Sequence, residues 1–144
     1  VFNFMDLLNG PFFVIYGDNY FKHDTDLNYF IKFHEEKKSD FTVGLCKVDD
    51  VSNSGLAEQD DKDKIIRFIE KPKNIIIKSG WVNAGVYFLN TKIFEKFDFR
   101  YTDFGDHLIP YLIYSSYNVY GLKLKDRVIA IDTLKLFNKE ISYD

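Results

Sequence analysis

The stretch PFFVIYGDNYF, residues 11–21, decides how the rest of the chain is read. Apolar and aromatic side chains run unbroken from Phe12 to Tyr16 and stop at Gly17-Asp18. A run that is apolar on both faces marks a strand inside a parallel or mixed sheet, because a strand with one wet face would alternate. It leaves a carboxylate, Asp18, at the strand's carboxyl end. Burying that charge is costly unless a cation meets it, and in open α/β sheets this edge is where ligands bind. Asp18 therefore has two readings. It is a turn aspartate, or it holds Mg2+, an ion that takes one or two carboxylates together with phosphate oxygens of a substrate.

Working outward, strand and helix patterns alternate. Asp26 is placed to cap a helix over 27–37, with Leu27, Phe30, Ile31 and His34 at i, i+3, i+4 and i+7 and with Lys37 and Lys38 at its carboxyl end. FTVGLCKV (41–48) reads as a strand. GLAEQD and IIRFIE flank the polar turn DKDK and predict a β-hairpin over 55–59 and 65–70. WVNAGVYFL (81–89) predicts a strand that Asn83-Ala84-Gly85 would bend or bulge. Short helices are expected at about 92–97 and 105–114, the second kinked or started late by Pro110. YNVYGLKL and DRVIAI supply two last strands, and Thr133 opens a final helix with Leu134, Phe137 and Ile141 inward.

No repeat, low-complexity tract or linker interrupts this order, so residues 1–144 read as a single α/β domain. The strand at 12–16 wants neighbours on both edges. Only about ten residues precede it, and Phe2, Met5 and Leu8 are spaced like the tail of a helix. The chain is expected to be the carboxyl-terminal part of a larger domain.

Composition narrows the classes of function. With 46% hydrophobic residues over 144 positions the chain can bury a sizeable core. A net charge of −3 gives no footprint for nucleic acid. No apolar run approaches the roughly 18 residues of a membrane span, and VFNFMDLLNG lacks the basic flank and cleavage site of a signal peptide. Cys46, the single cysteine, reads as a buried thiol, which suits a reducing, cytoplasmic setting. His23, His34 and His107 show no zinc-ligand spacing.

Other polar residues each carry two readings. Asp132 ends an apolar strand as Asp18 does; it either caps the following helix or joins Asp18 at one sheet edge as a second metal ligand. Glu70-Lys71-Pro72 closes the hairpin at a fixed point, because Pro72 removes a donor. The pair is an exposed strand end, or Lys71 is a point charge for a phosphate with Glu70 accepting hydroxyl hydrogen bonds. Asn83 and Gly85 form a bulge, or they offer an amide and a bare backbone to a polar ligand. Asp60-Asp61-Lys62-Asp63 is similar to a calcium loop but lacks its Gly and final Glu, so a solvated turn is expected. Asp24-Thr25-Asp26 has the Asp-x-Asp pattern of metal-dependent glycosyltransferases but precedes a helix, which favours capping.

Taken in order, PFFVIYGD, a lone Gly55, FIEKP, VNAGVYFL, DFGDHLIPYLI and IDTLKLF resemble the sugar-1-phosphate nucleotidyltransferases. That family makes nucleotide sugars from a nucleoside triphosphate and a sugar 1-phosphate. The resemblance implies a Rossmann-like three-layer mixed sheet, the nucleotide-diphospho-sugar transferase fold, with the amino-terminal nucleotide-binding portion missing. It implies Asp18 on the catalytic Mg2+, Gly55, Glu70, Lys71, Asn83 and Gly85 around the sugar phosphate, and Lys71 as the catalytic cation. Asp132 would be the second metal ligand.

Three departures stand against the pattern. The Gly-x-Gly-Thr-Arg signature that holds the triphosphate is absent, so the segment alone is expected to transfer nothing. Ala130 stands where the last motif's first Asp belongs, with Asp132 two residues on, and Val128 replaces a frequent aromatic residue. A non-catalytic regulatory or scaffolding relative that binds sugar phosphate is one alternative, and a glycosyltransferase using Asp24 and Asp26 is another. The base, the sugar and any homo-oligomer are left open.

Overall fold

A computed structural model describes residues 7–21, 27–73, 77, 79–95, 103–125 and 128–131. The opening apolar run becomes β1 (Phe12–Ile15). Among the described strands it pairs with one neighbour only, antiparallel to β6 (Gly80–Leu89), from Phe12↔Leu89 to Ile15↔Val86. Its side chains are half-buried and Ile15 is exposed, so the strand is an edge here rather than the buried centre that its composition suggests.

The centre is β3 (Phe41–Val48), whose first six residues are all buried. It lies between β6, antiparallel, and β7 (Val119–Lys123), parallel, and this makes the sheet mixed. The hairpin of β4 (Leu56–Gln59) and β5 (Ile65–Ile69) joins through Leu56↔Val82, giving the order β5-β4-β6-β3-β7 with β1 also on β6. The hairpin matches its predicted span to within a residue at each end. Its turn is built by Asp60, whose side chain accepts from the backbone N–H groups of Lys62 (2.9 Å) and Lys64 (2.8 Å), a solvated Asx-type turn.

Each sheet face carries its own core. Phe41, Val43, Leu45, Tyr87 and Leu89 point to the side covered by Leu108, Ile109 and Leu112. Cys46, Val82, Ala84, Val86 and Phe88 point to the other, covered by Phe30 and Phe33. Period-two alternation along two central strands thus produces the three layers that the resemblance implies.

Helix α1 (Leu27–Lys37) spans the residues its periodicity predicts. Its inward stripe is Phe30, Phe33 and His34, while Leu27 is 39% exposed; burying a second phenylalanine turns the stripe away from the first turn. Helix α2 (Ile109–Tyr114) starts late, with Pro110 in its first turn, where a missing N–H breaks no bond. It follows a π-helical turn, Phe104–Leu108, capped by Asp103. At six residues α2 would not persist alone; the fully buried Ile109 and Leu112, each contributing about 1.5–3 kcal/mol, hold it in place. The helix expected near 92–97 is a 3-10 turn, Thr91–Glu95, over its described part.

The last described strand, β8 (Val128–Ala130), leaves the main sheet and pairs antiparallel with β2 (Asn19–Phe21). The predicted helix from Thr133, the caps at Asp24 and Asp26, and Asp132 lie outside the described residues. Cys46 is buried as expected. Among the described residues no helix is long and apolar enough to cross a membrane.

Candidate functional site

The site exists because β6 cannot keep one partner along its whole length. Val43 of β3 faces Tyr87 and Leu45 faces Asn83, so three residues of β6 stand opposite the single Gly44. This is the bulge that Asn83-Ala84-Gly85 predicts. Gly85 takes φ +66°, a left-handed conformation natural to glycine. The bulge divides the far edge of β6: beyond it β1 pairs, before it β4 pairs, and between them the edge stays open.

The gap's backbone is accounted for. Tyr16 N donates to Gly85 O (2.9 Å) on one rim, and Asn83 N donates to Gly55 O (2.8 Å) on the other. Ala84 O, between them, accepts from the Asn19 side chain at 2.7 Å. Asn83 is occupied as well: its amide accepts from Gly85 N (3.0 Å) and donates to the Tyr87 hydroxyl (2.7 Å). It stiffens the bulge and still presents an edge to the opening.

A cavity of about 640 Å³ fills the gap, and Asp18, Gly55, Glu70, Lys71, Asn83 and Gly85 all line it. Six residues singled out across nearly 70 positions of sequence therefore meet in one place. Asp18 follows β1 through the turn at Gly17 and is exposed to the cavity, so it bears no burial penalty. That corrects the expectation of a costly buried carboxylate. Its backbone oxygen accepts from Ile131 N at 2.7 Å, which ties the end of β8 to the same turn.

Glu70 and Lys71 leave β5 together. Burial pushes the Glu70 carboxyl above the usual glutamate range; Lys71 opposes this, and Asp103 and Asp106 add to it. Two glycines make room for that carboxylate: a Cβ on Gly55 would meet the Phe68 ring and Glu70, and a Cβ on Gly105 would meet Glu70 directly. Lys71 is exposed and has φ +42°, a left-handed conformation rare outside glycine.

Sequence reasoning passed over Tyr16, Asn19, Asp103 and Gly105, which also line the cavity. Asp103 accepts from Gly105 N (2.7 Å) and Asp106 N (2.8 Å), so it builds the turn that backs Glu70. The signal available was Gly105 within DFGDH, a glycine with no turn dipeptide to explain it.

Gly105→Ala is expected to raise KM for a substrate bound in this cavity about 10- to 100-fold, because a carboxylate displaced by about 1 Å loses its aim. The thermal midpoint should move little, since the obstructed atoms end a flexible side chain. Steady-state kinetics beside a melting curve checks both; an unchanged KM removes the packing role given to Gly105.

Among the described residues no group of three or more His, Cys, Asp or Glu side chains forms a ready-made metal cage. Asp18, an accessible carboxylate on a cavity with ample room for a phosphate-bearing ligand, fits Mg2+, which fills the rest of its shell from water and substrate phosphates. It does not fit zinc, which wants four closed protein ligands or three with one open position.

The sequence profile of the family described as "Nucleotidyl transferase" matches residues 2–128. The chain is 34% identical over 117 residues to a glucose-1-phosphate adenylyltransferase of Clostridium novyi (strain NT), covering 75% of this chain and 30% of that protein. It is 31% identical over 101 residues to a probable mannose-1-phosphate guanylyltransferase 1 of Oryza sativa subsp. japonica, covering 69% and 27%. The chain thus spans less than a third of the length of these relatives.

The crystal structure of HddC from Yersinia pseudotuberculosis superposes with a TM-score of 0.75 at 25% identity, over 95% of this chain and 57% of that one. A Bacillus anthracis structure solved in complex with a sucrose shares the fold, with TM-score 0.79 at 22% identity over 97% and 57%. With a profile match across most of its length and a relative above 30% identity, the chain belongs to the nucleotidyl transferase family.

Proposed function

We propose that the protein containing this chain transfers a nucleotidyl group from a nucleoside triphosphate to a sugar 1-phosphate, releasing pyrophosphate, and that this chain supplies the sugar-phosphate side of the site. One observation carries the reading. The residues that the family resemblance selects, from Asp18 to Gly85, line a single cavity where β6 exchanges β4 for β1.

The reaction is an in-line displacement in which an oxygen of the sugar phosphate attacks the α-phosphorus and pyrophosphate leaves. It needs positioning and charge neutralisation more than covalent help. Among the described residues that line the cavity Lys71 is the only cationic side chain, and as a point charge it takes the incoming phosphate. Glu70 accepts from sugar hydroxyls, and since its proton affinity is raised, that role fades at a higher pH than for an ordinary glutamate. The bulge holds the Asn83 amide at the cavity, and Gly85 leaves the room that the Tyr16 and Asn19 side chains fill beside it. Asp18, joined by Asp132 from outside the described residues, would hold Mg2+, which when bound neutralises charge between the two reacting phosphates.

The test offers glucose 1-phosphate and mannose 1-phosphate to the full-length protein with Mg2+ and each of ATP, GTP, CTP, UTP and dTTP. Pyrophosphate release with formation of a nucleotide sugar in at least one combination is the expected result. Silence across the panel, with no thermal stabilisation by either sugar phosphate, overturns the reading.

A further inference from the structure

We propose that the Tyr16 hydroxyl is a specificity-determining donor that selects a substrate carrying a sugar hydroxyl at one position of the cavity. The inference rests on the function proposed above and adds a residue to it.

The argument begins with proton direction. The Asn83 amide donates to the Tyr87 hydroxyl at 2.7 Å, and the Tyr87 hydroxyl donates to Tyr16 at 3.2 Å. A phenol has one proton to give. Tyr87 spends its proton on Tyr16, and Tyr16, as the acceptor in that contact, keeps its own. The chain starts in the core, where Tyr87 is fully buried, and ends at Tyr16, which is 38% exposed and lines the cavity. Hydrogen bonds aligned in one direction polarise one another, so the last donor is strengthened.

The ring is held for this task. It packs edge-on against Tyr87, with centroids 5.7 Å apart, and its Cδ2 lies 2.8 Å from where a Cβ on Gly85 would stand. The donor is thus aimed before a ligand arrives.

The carboxylates of Glu70 and Asp103, which line the same cavity, decide what Tyr16 can face. An anionic phosphate oxygen placed there would share the cavity with those two like charges. A hydroxyl accepts from Tyr16 and has a proton left for a carboxylate of the same cavity, whose lining includes Glu70. Asp103 has one carboxylate oxygen committed to Gly105 N and Asp106 N, whereas Glu70 accepts no hydrogen bond from the described residues. A site built to hydrogen-bond a hydroxyl rejects the analogue that lacks it by orders of magnitude.

The experiment measures kcat/KM of the full-length protein for its sugar 1-phosphate, glucose or mannose, and for the 2-, 3-, 4- and 6-deoxy analogues, in wild type, Tyr16→Phe and Tyr87→Phe. Wild type is expected to disfavour one analogue by about 100-fold or more. Tyr16→Phe should lower the parent sugar to nearly that analogue's level, erase the discrimination and leave the other analogues' ranking intact. Tyr87→Phe, which weakens the donor from behind, should narrow the same preference partway. Melting curves confirm folding, since Tyr16→Phe keeps the ring against Gly85. Uniform loss on every sugar, or no loss, overturns the inference alone; a wild type that turns over no sugar 1-phosphate overturns it together with the proposed reaction.

Discussion

Asp18→Asn in the full-length protein is expected to lower kcat by about 100- to 1,000-fold, the range for removing one preorganised electrostatic contact in the transition state. Stability should be untouched. The side chain is exposed, and no described residue hydrogen-bonds its carboxylate. The bond that matters to the fold, Ile131 N to the backbone oxygen of residue 18, survives in the variant. Asparagine keeps the shape and one oxygen but loses the charge, so part of the rate should return at higher Mg2+ concentration. Wild-type and variant turnover measured across a Mg2+ titration, beside thermal melts, separates the cases. Equal rates at every Mg2+ level would remove Asp18 from the reaction, and a lower melting point with a normal rate would make it a turn residue only.

Local features were the ones the sequence disclosed. The bounds of α1 follow from apolar spacing, the hairpin from two strand-like runs around DKDK, and the late start of α2 from one proline. Each depends on neighbours within a few residues. The bulge was foreseen because Asn83-Ala84-Gly85 is unlike the residues around it, but its consequence was not. Splitting one edge between β1 and β4 depends on pairings that join residues 12–15 to 86–89 and residue 56 to 82, and no window along the chain contains both.

The same reason hid the second set of site residues. Tyr16 read as the last apolar position of a strand, and neither Asn19 nor Asp103 stood out from its neighbours. Each gains its role from a contact made far along the chain, such as Asn19 with Ala84, 65 residues away. The motif residues were legible for the opposite reason: Gly-Asp, Glu-Lys-Pro and Asn-x-Gly each combine a backbone-special residue with a polar one, and that combination shows without a partner.

Lys71 joins both kinds of signal and yields the sharpest pair of measurements. It has φ +42° immediately before Pro72, where a proline's neighbour prefers extended backbone, and a residue with a Cβ in the left-handed region costs about 1–2 kcal/mol. Its N–H reaches Ser54 O at 3.2 Å, so the conformation is held by the rim that carries Gly55. If that strain serves to aim the ammonium at a phosphate, charge and backbone should separate by substitution. Lys71→Ala and Lys71→Gly should both lower kcat/KM for the sugar phosphate by about 100-fold or more, as expected when a charged transition-state contact is lost. Lys71→Gly should nevertheless be the more stable of the two by about 1 kcal/mol, because glycine accepts positive φ freely. Denaturant unfolding of both variants beside their kinetics gives the two numbers independently. An alanine variant with full activity would exclude Lys71 from phosphate binding, while a glycine variant no more stable than alanine would mean that the turn relaxes once the side chain is gone, leaving the aim to the proline and to the Ser54 contact.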